Sequence, residues 1–174
     1  MSASTTMPYF IKPSLNISPA EKEAAYQEAT AAILATLGDE QNETVKMVTI
    51  NCLLKTHLPY FYWVGFYLNR GDNMLMVGPY QGTLGCLYIK FGRGVCGAVA
   101  ASGQPKIVGD THALEQGKEH IACDPNSASE IVLPVHRADG SLLGVLDVDS
   151  TEKHSFDATD ERYLADLLHQ VFAQ

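Results

Sequence analysis

The stretch "EIVLPVHRADGSLLGVLDVDS", residues 130–150, contains two apolar, β-branched runs separated by "ADGS". Asp and Gly favour tight turns because both tolerate the backbone conformations that such turns require. Two strand-like runs joined by a turn predict an antiparallel β-hairpin. A second stretch, "YFYWVGFYLNRGDNMLMVGPY" at residues 60–80, is organised in the same way around "NRGDN" and predicts a second hairpin.

Helical patterns precede the two hairpins. Ser18 and Pro19 are typical of a helix start, with a capping hydroxyl followed by a proline at the first helical position. The Ala-rich helix that follows is predicted to end at Gly38. A second helical pattern lies in "ETVKMVTINCLLKTHL", residues 43–58. Its predicted buried face contains Val45, Val48, Cys52 and Leu53.

The C-terminal segment "FDATDERYLADLLHQVFA" has apolar residues at helical spacing and predicts an amphipathic helix. The order of elements is therefore helices, antiparallel strands and a final helix. This order predicts an α+β fold built on one antiparallel sheet. A chain of 174 residues fits one domain, which we expect at residues 18–174 after an N-terminal extension at residues 1–17.

The charge and hydropathy of the chain limit its partners. Twelve Lys and Arg residues against twenty Asp and Glu give a formal net charge of −8. Without a basic stripe to neutralise phosphates, we expect no nucleic-acid partner. No apolar run approaches the roughly 18 residues that span a bilayer, and the N-terminus does not resemble a signal peptide. We therefore expect a cytoplasmic protein with no membrane partner, whose cysteines stay reduced unless they cycle.

The four cysteines suggest redox or metal chemistry more than a disulfide framework. On the predicted helical face, Cys52 is expected to be a small, buried and inert side chain. Cys86, Cys96 and Cys123 lie in or beside Gly-, Asp- or Ser-rich segments that favour loops, where thiols are accessible. A loop thiol near a second thiol has the arrangement that redox cycling requires. Three unconnected thiols remain the alternative.

Two other interpretations of these segments are weaker. "GRGVCG", residues 92–97, matches a dinucleotide-binding pattern, but the helix that follows ends by Gly103 and is too short for a parallel crossover. A glycine-rich turn into a short helix explains it better. Structural zinc sites pair closely spaced ligands in both halves, and His120 with Cys123 has no such pair upstream. The spacing does not favour a metal.

The "ADGS" hairpin also carries acids. A strand period of two puts Asp147 and Asp149 on one face of the second strand, and Glu130 begins the first strand. Three acids are costly to bury unless they meet a cation, hydrogen-bond donors or a proton, and a solvated sheet face is the alternative. Trp63 and Tyr67 share one side of a predicted strand, so they could enclose an apolar ligand or belong to the core.

The segments "YWVGFY", "GPYQGTLGCLYIKFGRGVCG", "HIACD", "SEIVLPV" and "GVLDVDS" followed by "FDATDE" resemble the free methionine-(R)-sulfoxide reductases, a GAF-domain family. The resemblance extends from Ser18 to Phe172. It implies a GAF-like fold, with the N-terminal helices and the C-terminal helix packed on one face of a central antiparallel sheet. "FDATDE" also resembles cyclic-nucleotide-binding GAF domains, but the Asn-Lys pair that precedes it there is absent here.

The resemblance also implies an activity and the residues that carry it. The expected reaction is the reduction of free L-methionine (R)-sulfoxide, with Cys123 as nucleophile, Cys86 as resolving thiol and Cys96 as auxiliary thiol. Glu130 and Asp149 are expected to take part in catalysis as well as in substrate binding. The full set of expected substrate-binding residues is Trp63, Tyr67, Glu130, Asp147 and Asp149.

In this mechanism one carboxylic acid, kept neutral by its neighbours, gives a proton to the departing oxygen, and another stays ionised to hold the substrate ammonium. The sulfenic acid then condenses with the resolving thiol, and a dithiol such as thioredoxin reduces the disulfide. The resemblance implies no metal or cofactor and favours a homodimer. The alternative is a non-catalytic GAF module that binds a small ligand or senses oxidation through the same cysteines.

Overall fold

The computed structural model describes residues 17–114 and 124–174. Four helices lie at α1 Pro19–Leu37, α2 Glu43–His57, α3 Gly94–Ser102 and α4 Ala158–Phe172. Six strands lie at β1 Trp63–Asn69, β2 Met74–Gln81, β3 Tyr88–Lys90, β4 Lys106–Val108, β5 Ser129–His136 and β6 Leu142–Ser150. A short 3₁₀ turn at Thr111–Ala113 follows β4.

Caps define the ends of α1 and α4. The Ser18 hydroxyl accepts a hydrogen bond from the Glu21 N–H, and the Glu21 carboxylate accepts one from the Ser18 N–H, which forms a capping box. Asp157 and Asp160 form the same arrangement at the start of α4. Gly38 follows α1 at a φ of 53°, a left-handed value that favours glycine. These boundaries agree with the sequence prediction.

The strands form one sheet in the order β3-β2-β1-β6-β5-β4, with every neighbouring pair antiparallel. The pairs β1 with β2 and β5 with β6 are the two predicted hairpins. Pairing of β1 with β6 joins them into the centre of the sheet. The prediction of an α+β fold on one antiparallel sheet is therefore confirmed. The three-residue edge strand β4 was missed, because so short a run shows no alternation.

The two faces of the sheet are covered differently. Helices α1, α2 and α4 pack on one face around a core that includes Phe66, Leu133 and Leu146. This confirms that the N-terminal helices and the C-terminal helix share one face. The other face of the sheet is covered by α3 and by loops. A smaller cluster of buried apolar residues on this face includes Trp63, Tyr67 and Cys96. The second face is open enough to hold a pocket.

The prediction for the buried face of α2 is wrong. Cys52 is exposed, as are Val45 and Val48, and of the predicted face only Leu53 packs partly against the core. The polar Asn51 is buried instead, because its side-chain amide donates a hydrogen bond to a β2 carbonyl at 2.8 Å. Apolar residues lie on both sides of α2, so hydrophobic spacing alone could not select the buried side. The buried residues are Met47, Ile50, Asn51 and Leu54.

One prediction concerns the N-terminus. The expected N-terminal extension lies almost entirely outside the described residues, so its boundary stays a prediction. None of the helices in the described part of the chain combines the length and the apolar character needed to cross a membrane.

Candidate active site

A pocket opens on the sheet face that carries α3. Its walls come from β1, β5, β6, α3, the loop before β3 and the segment before β5. The pocket brings together six residues singled out from the sequence: Trp63, Tyr67, Cys96, Glu130, Asp147 and Asp149. Residues far apart in the chain thus line one cavity, because β1, β6 and β5 are neighbours in the sheet.

Strand register places the acids side by side. Asp149 of β6 pairs with Glu130 of β5 on one side and with Trp63 of β1 on the other. Asp147 lies two residues earlier on β6 and therefore faces the same side of the sheet. The predicted alternation along β6 is confirmed, since Leu146 and Val148 pack into the helix-covered core.

Three aromatic rings form a stack along one wall. The Trp63 ring stacks on Tyr67 at 5.8 Å and on Tyr80 at 5.1 Å between ring centroids. The indole Nε1 donates a hydrogen bond to the Thr83 carbonyl at 2.9 Å, which fixes the ring. Gly65 makes the stack possible, because a Cβ there would lie 2.7 Å from the Trp63 ring and 2.3 Å from the Tyr80 Cβ. Trp63 and Tyr67, for which the sequence left open a pocket wall or a core position, are buried in the smaller apolar cluster and also line the pocket.

Glu130, Asp147 and Cys96 form a buried acid–thiol cluster. Their ligand atoms all lie within 4.8 Å of one another, and the Cys96 thiol donates a hydrogen bond to Glu130 Oε1 at 4.0 Å. Burial, and next the charge of Asp149, raise the pKa of both Glu130 and Asp147 well above the ordinary range. The two carboxyl groups therefore keep their protons to a higher pH than exposed carboxyl groups do.

Asp147 has an oxygen with no internal partner. Its Oδ1 atom is buried and accepts no hydrogen bond from any residue that the structure describes. A buried polar atom of this kind is costly unless another group satisfies it. The Asp147 Oδ1 atom is therefore a candidate acceptor for a polar group of a ligand.

Cys96 is a protonated thiol. Burial first, and then the charges of Asp147 and Glu130, raise its pKa well above the usual cysteine value. A thiol in this environment is a poor nucleophile, because the thiolate is the reactive form. Within residues 17–114 and 124–174, the acid–thiol cluster is also the group of three side chains whose geometry could hold a metal ion.

The remaining cysteines differ in state. Cys86, in the loop between β2 and β3, is disulfide-bonded, and its backbone hydrogen-bonds the Tyr67 hydroxyl. Cys52 and Cys96 are free. Cys123 and His120 lie outside the described residues, so the role expected for Cys123 stays a prediction.

Asp124 at the mouth of the pocket was missed from the sequence. Its carboxylate accepts hydrogen bonds from the Tyr62 hydroxyl at 2.8 Å and from the Thr83 hydroxyl at 2.5 Å. Burial acts to raise the pKa of Asp124, but hydrogen bonds from Thr83, Asn126 and Tyr62 lower it below the ordinary value. The sequence feature that could have identified Asp124 as a site residue is its position directly after Cys123, in the turn sequence "DPNS".

Ser127 is a second missed residue. Its hydroxyl donates a short hydrogen bond to Asp149 Oδ1, which orients that carboxylate toward the segment before β5. Ser127 belongs to the same "DPNS" turn. Turn residues are hard to assign to a site from sequence, because they serve loops in general.

The antiparallel sheet with three helices on one face and a polar pocket on the other has the architecture of a GAF domain. Residues 55–172 match the GAF domain family. The free methionine-R-sulfoxide reductase of Escherichia coli is 37% identical over 150 residues, which cover 86% of this chain and 88% of that protein.

Solved structures agree with this match. The free methionine-R-sulfoxide reductase of Neisseria meningitidis in complex with its substrate has a TM-score of 0.79 at 39% identity, covering 90% of this chain and 91% of that one. The reduced form of the Staphylococcus aureus enzyme has a TM-score of 0.78 at 34% identity, covering 84% and 92%. The chain belongs to the free methionine-R-sulfoxide reductases of the GAF domain family.

Proposed function

We propose that this protein reduces free L-methionine (R)-sulfoxide to methionine by thiol chemistry. The observation that carries the proposal is that the buried pair Glu130 and Asp147, whose pKa values are raised, lines the same pocket as the stacked rings of Trp63 and Tyr67. Such a pocket offers an apolar wall for a thioether side chain and polar groups for a sulfoxide and an amino acid. The Neisseria meningitidis relative in complex with its substrate supports the choice of ligand.

The aromatic wall and the acids divide the recognition of the substrate. Trp63 and Tyr67 contact the methyl and methylene groups, while Asp149 holds the α-ammonium in a charge-assisted contact. Asp147 binds a polar group of the substrate through the oxygen that lacks an internal partner. A peptide nitrogen carries no charge, so peptide-bound methionine sulfoxide loses the contact with Asp149.

The chemistry assigns one role to each thiol. The Cys123 thiolate attacks the sulfoxide sulfur, Glu130 protonates the departing oxygen, and the oxygen transfers so that methionine leaves and Cys123 becomes a sulfenic acid. The Cys86 thiol then forms a disulfide with Cys123 and releases water. Support for this pairing is that Cys86 is disulfide-bonded, whereas Cys52 and Cys96 are free. Cys96 assists as a buried hydrogen-bond donor to Glu130.

A dithiol protein such as thioredoxin completes the cycle by reducing the disulfide. We further propose a cytoplasmic homodimer. The supporting feature is a set of exposed apolar side chains on α1 and α2, namely Leu34, Val45 and Val48. Light scattering on the purified protein measures the mass of the assembly and tests the dimer.

The test of the function is a turnover assay with thioredoxin, thioredoxin reductase and NADPH. We expect free methionine (R)-sulfoxide to be reduced, and the N-acetylated, amidated analogue to show a kcat/KM lower by on the order of a hundredfold or more, because a lost charge-assisted contact is costly. Equal activity on both substrates would contradict the recognition scheme. Binding without turnover would identify a sensing module instead.

The roles of the thiols are tested by rapid quench without reductant. Cys123→Ser should release no methionine, because serine supplies neither a thiolate nor reducing electrons. Cys86→Ser should release about one methionine per subunit and then stop, because sulfenic acid formation needs only Cys123. Cys52→Ser, at an exposed position on α2, is the matched control and should behave like the parent. A full first turnover in Cys123→Ser would exclude it as the nucleophile.

A further inference from the structure

The acid–thiol cluster of Cys96, Glu130 and Asp147 offers a sulfur and carboxylate oxygens at one point of the pocket. These ligand atoms all lie within 4.8 Å of one another. Glu130 comes from β5, Asp147 from β6 and Cys96 from α3. Because Glu130 pairs with Asp149, two residues after Asp147 on β6, the two carboxyl groups are diagonal neighbours on one face of the sheet. Strand register therefore fixes the carboxyl pair, and α3 adds the thiol to it.

The helix that carries Cys96 is itself tightly placed. A Cβ atom at Gly97 would lie 2.3 Å from the Lys90 carbonyl oxygen, so α3 packs directly against the end of β3. The Gly92 N–H donates a hydrogen bond to the Gly97 carbonyl at 2.7 Å. All three ligand side chains thus come from packed elements, and a site on rigid elements keeps its geometry better than a site on loops.

One oxygen of the cluster has capacity for a further partner. The Asp147 Oδ1 atom is buried and accepts no hydrogen bond from any residue in the described part of the chain. Asp147 as a whole is 7% exposed and lines the pocket. An acceptor in this position is costly to leave unsatisfied. A cation that enters the pocket can satisfy it.

The ligand types select the class of cation. Mg²⁺ and Ca²⁺ take about six or more oxygen ligands, which two carboxyl groups and a thiol do not supply. Thiolate sulfur favours Zn²⁺ and similar cations, which prefer four ligands in a tetrahedron. Zinc bond lengths of about 2.3 Å to sulfur and about 2.0 Å to oxygen place these two ligand atoms roughly 3.5 Å apart. The distance from Cys96 Sγ to Glu130 Oε1 is 4.0 Å, so it needs to close by about 0.5 Å.

We infer that Cys96, Glu130 and Asp147 bind a divalent cation of the zinc class, with the fourth coordination position open to the pocket. The cation forms bonds to the Cys96 sulfur and to one oxygen of each carboxyl group, and the protons that these groups held pass to solvent. The same carboxyl groups serve the substrate in the proposed function. On that basis the cation and methionine sulfoxide exclude each other, and zinc inhibits the enzyme reversibly without oxidising a thiol.

The test of the site uses Co²⁺, which occupies zinc-like tetrahedral sites and gives a charge-transfer absorption when a thiolate is a ligand. The protein is titrated in its oxidised form, in which Cys86 is disulfide-bonded and Cys52 and Cys96 are free. We expect about one Co²⁺ per subunit with this absorption, and Zn²⁺ should displace it. Cys96→Ser should abolish the absorption, whereas Cys52→Ser, which removes the exposed thiol, should keep it.

Asp147→Asn tests the carboxylate ligand in the same titration. We expect its affinity for Co²⁺ to fall by on the order of a hundredfold or more, because even partners outside the coordination shell contribute about 10- to 100-fold. Glu152→Gln, at an exposed acid after β6, is the matched control and should keep the parental affinity. A parent that binds no Co²⁺, absorption retained in Cys96→Ser, or parental affinity in Asp147→Asn would overturn the site. Asp147→Asn decides the question if Cys96→Ser does not fold.

The mutual exclusion is tested by adding methionine (R)-sulfoxide to the Co²⁺-loaded oxidised protein, whose nucleophile is in the disulfide under the proposed function. The absorption should decrease. Glycine at the same concentration chelates Co²⁺ in solution through the same amino and carboxylate groups and is the control. Equal affinity of the metal-free and Co²⁺-loaded proteins for the sulfoxide would overturn the exclusion. A metal-free parent that neither binds nor reduces the sulfoxide would instead refute the proposed function, which the Co²⁺ titration does not depend on, so the two failures are distinct.

Discussion

Glu130 and Asp147 are carboxyl groups that the fold keeps away from water. Their unperturbed pKa values are 4.5 and 3.8, and burial raises both in the folded protein. At pH values between the pKa in the unfolded state and the pKa in the folded state, the native state binds more protons than the unfolded state. The contribution of these two groups to the free energy of unfolding must therefore fall as the pH rises above about 4 to 5.

We expect Asp147→Asn to weaken this pH dependence, because the amide carries no ionisable proton. The measurement is the free energy of unfolding from urea titrations at several pH values above 5, where the carboxyl groups with lowered pKa values are already ionised. Glu152→Gln, an exposed acid that follows β6, is the matched control and should keep the slope of the parent. Identical slopes in the parent and Asp147→Asn would mean that Asp147 ionises normally in the fold.

Cys52 and Cys96 are both free thiols, but their environments are opposite. Cys52 is exposed on α2, whereas Cys96 is buried and its pKa is raised by burial and by nearby acids. With a maleimide at neutral pH, we expect Cys96 to react slower than Cys52 by on the order of a hundredfold or more, and to react fully only in denaturant. The protein is labelled in its oxidised form, in which the proposed Cys86–Cys123 disulfide leaves Cys52 and Cys96 as the thiols to be compared. Peptide mass spectrometry measures both sites, and Cys52→Ser should remove the fast reaction. Equal labelling rates would show that the acid–thiol cluster opens readily.

Strand β1 can carry the aromatic wall because Gly65 has no side chain to occupy the space of the rings. A Cβ at Gly65 would meet the Trp63 ring at 2.7 Å and the Tyr80 Cβ at 2.3 Å. Trp63 is the single tryptophan of the chain, so its fluorescence reports directly on the stack. Gly65 is required because the neighbouring side chains leave no room for a Cβ atom, and its conformational freedom is not needed.

We expect Gly65→Ala to lower the free energy of unfolding by about 1–3 kcal/mol and to shift the Trp63 emission, because the added methyl group displaces the ring. Urea unfolding followed by fluorescence measures both effects. Gly71→Ala is the control: Gly71 has a φ of +84° and open space around it, so its cost of about 1 kcal/mol arises from backbone strain alone. Its emission should match the parent. A parental emission in Gly65→Ala would contradict the packing described for β1.

Across the whole molecule, a buried ionic network joins the first helix to the last. The Lys22 ammonium donates to Asp160 Oδ2 at 2.6 Å, and the hydroxyls of Tyr26 and Tyr60 donate to Asp160 Oδ1 at 2.7 and 2.5 Å. Asp160 is fully buried. The network connects α1 and α4, which cover the same face of the sheet, so it contributes to the closure of the helix-covered core.

Asp160→Asn should lower the free energy of unfolding by roughly 3 kcal/mol, because it leaves a buried ammonium with a weaker partner. The same two helices also share the exposed pair Arg162–Glu23 at 3.2 Å, which provides a matched control. Glu23→Gln should cost at most about 1 kcal/mol, as surface ion pairs do. Urea unfolding of both variants gives the comparison. Equal costs would show that burial adds nothing to the Lys22–Asp160 pair.

Much of the architecture could be predicted from local sequence. The turn residues between strands, the capping box at Ser18 and the alternation of Asp147 and Asp149 act over a few residues, so the chain shows them directly. The loop thiols and the pair Trp63 and Tyr67 were also candidates from the sequence, and the family resemblance supplied their expected roles. The pocket brings together Trp63, Tyr67 and Cys96 with the acids.

Other features depend on contacts between distant segments. The buried side of α2 was predicted wrongly, because Asn51 finds a hydrogen-bond acceptor on β2 that no pattern within the helix reveals. Asp124 and Ser127 belong to the site only because their turn meets Thr83 and Asp149 across the pocket. Helices and hairpins are encoded by neighbours in the chain, while burial and hydrogen-bond partners arise when elements pack. That packing buries Glu130 and Asp147 and thereby raises the pKa values of both carboxyl groups.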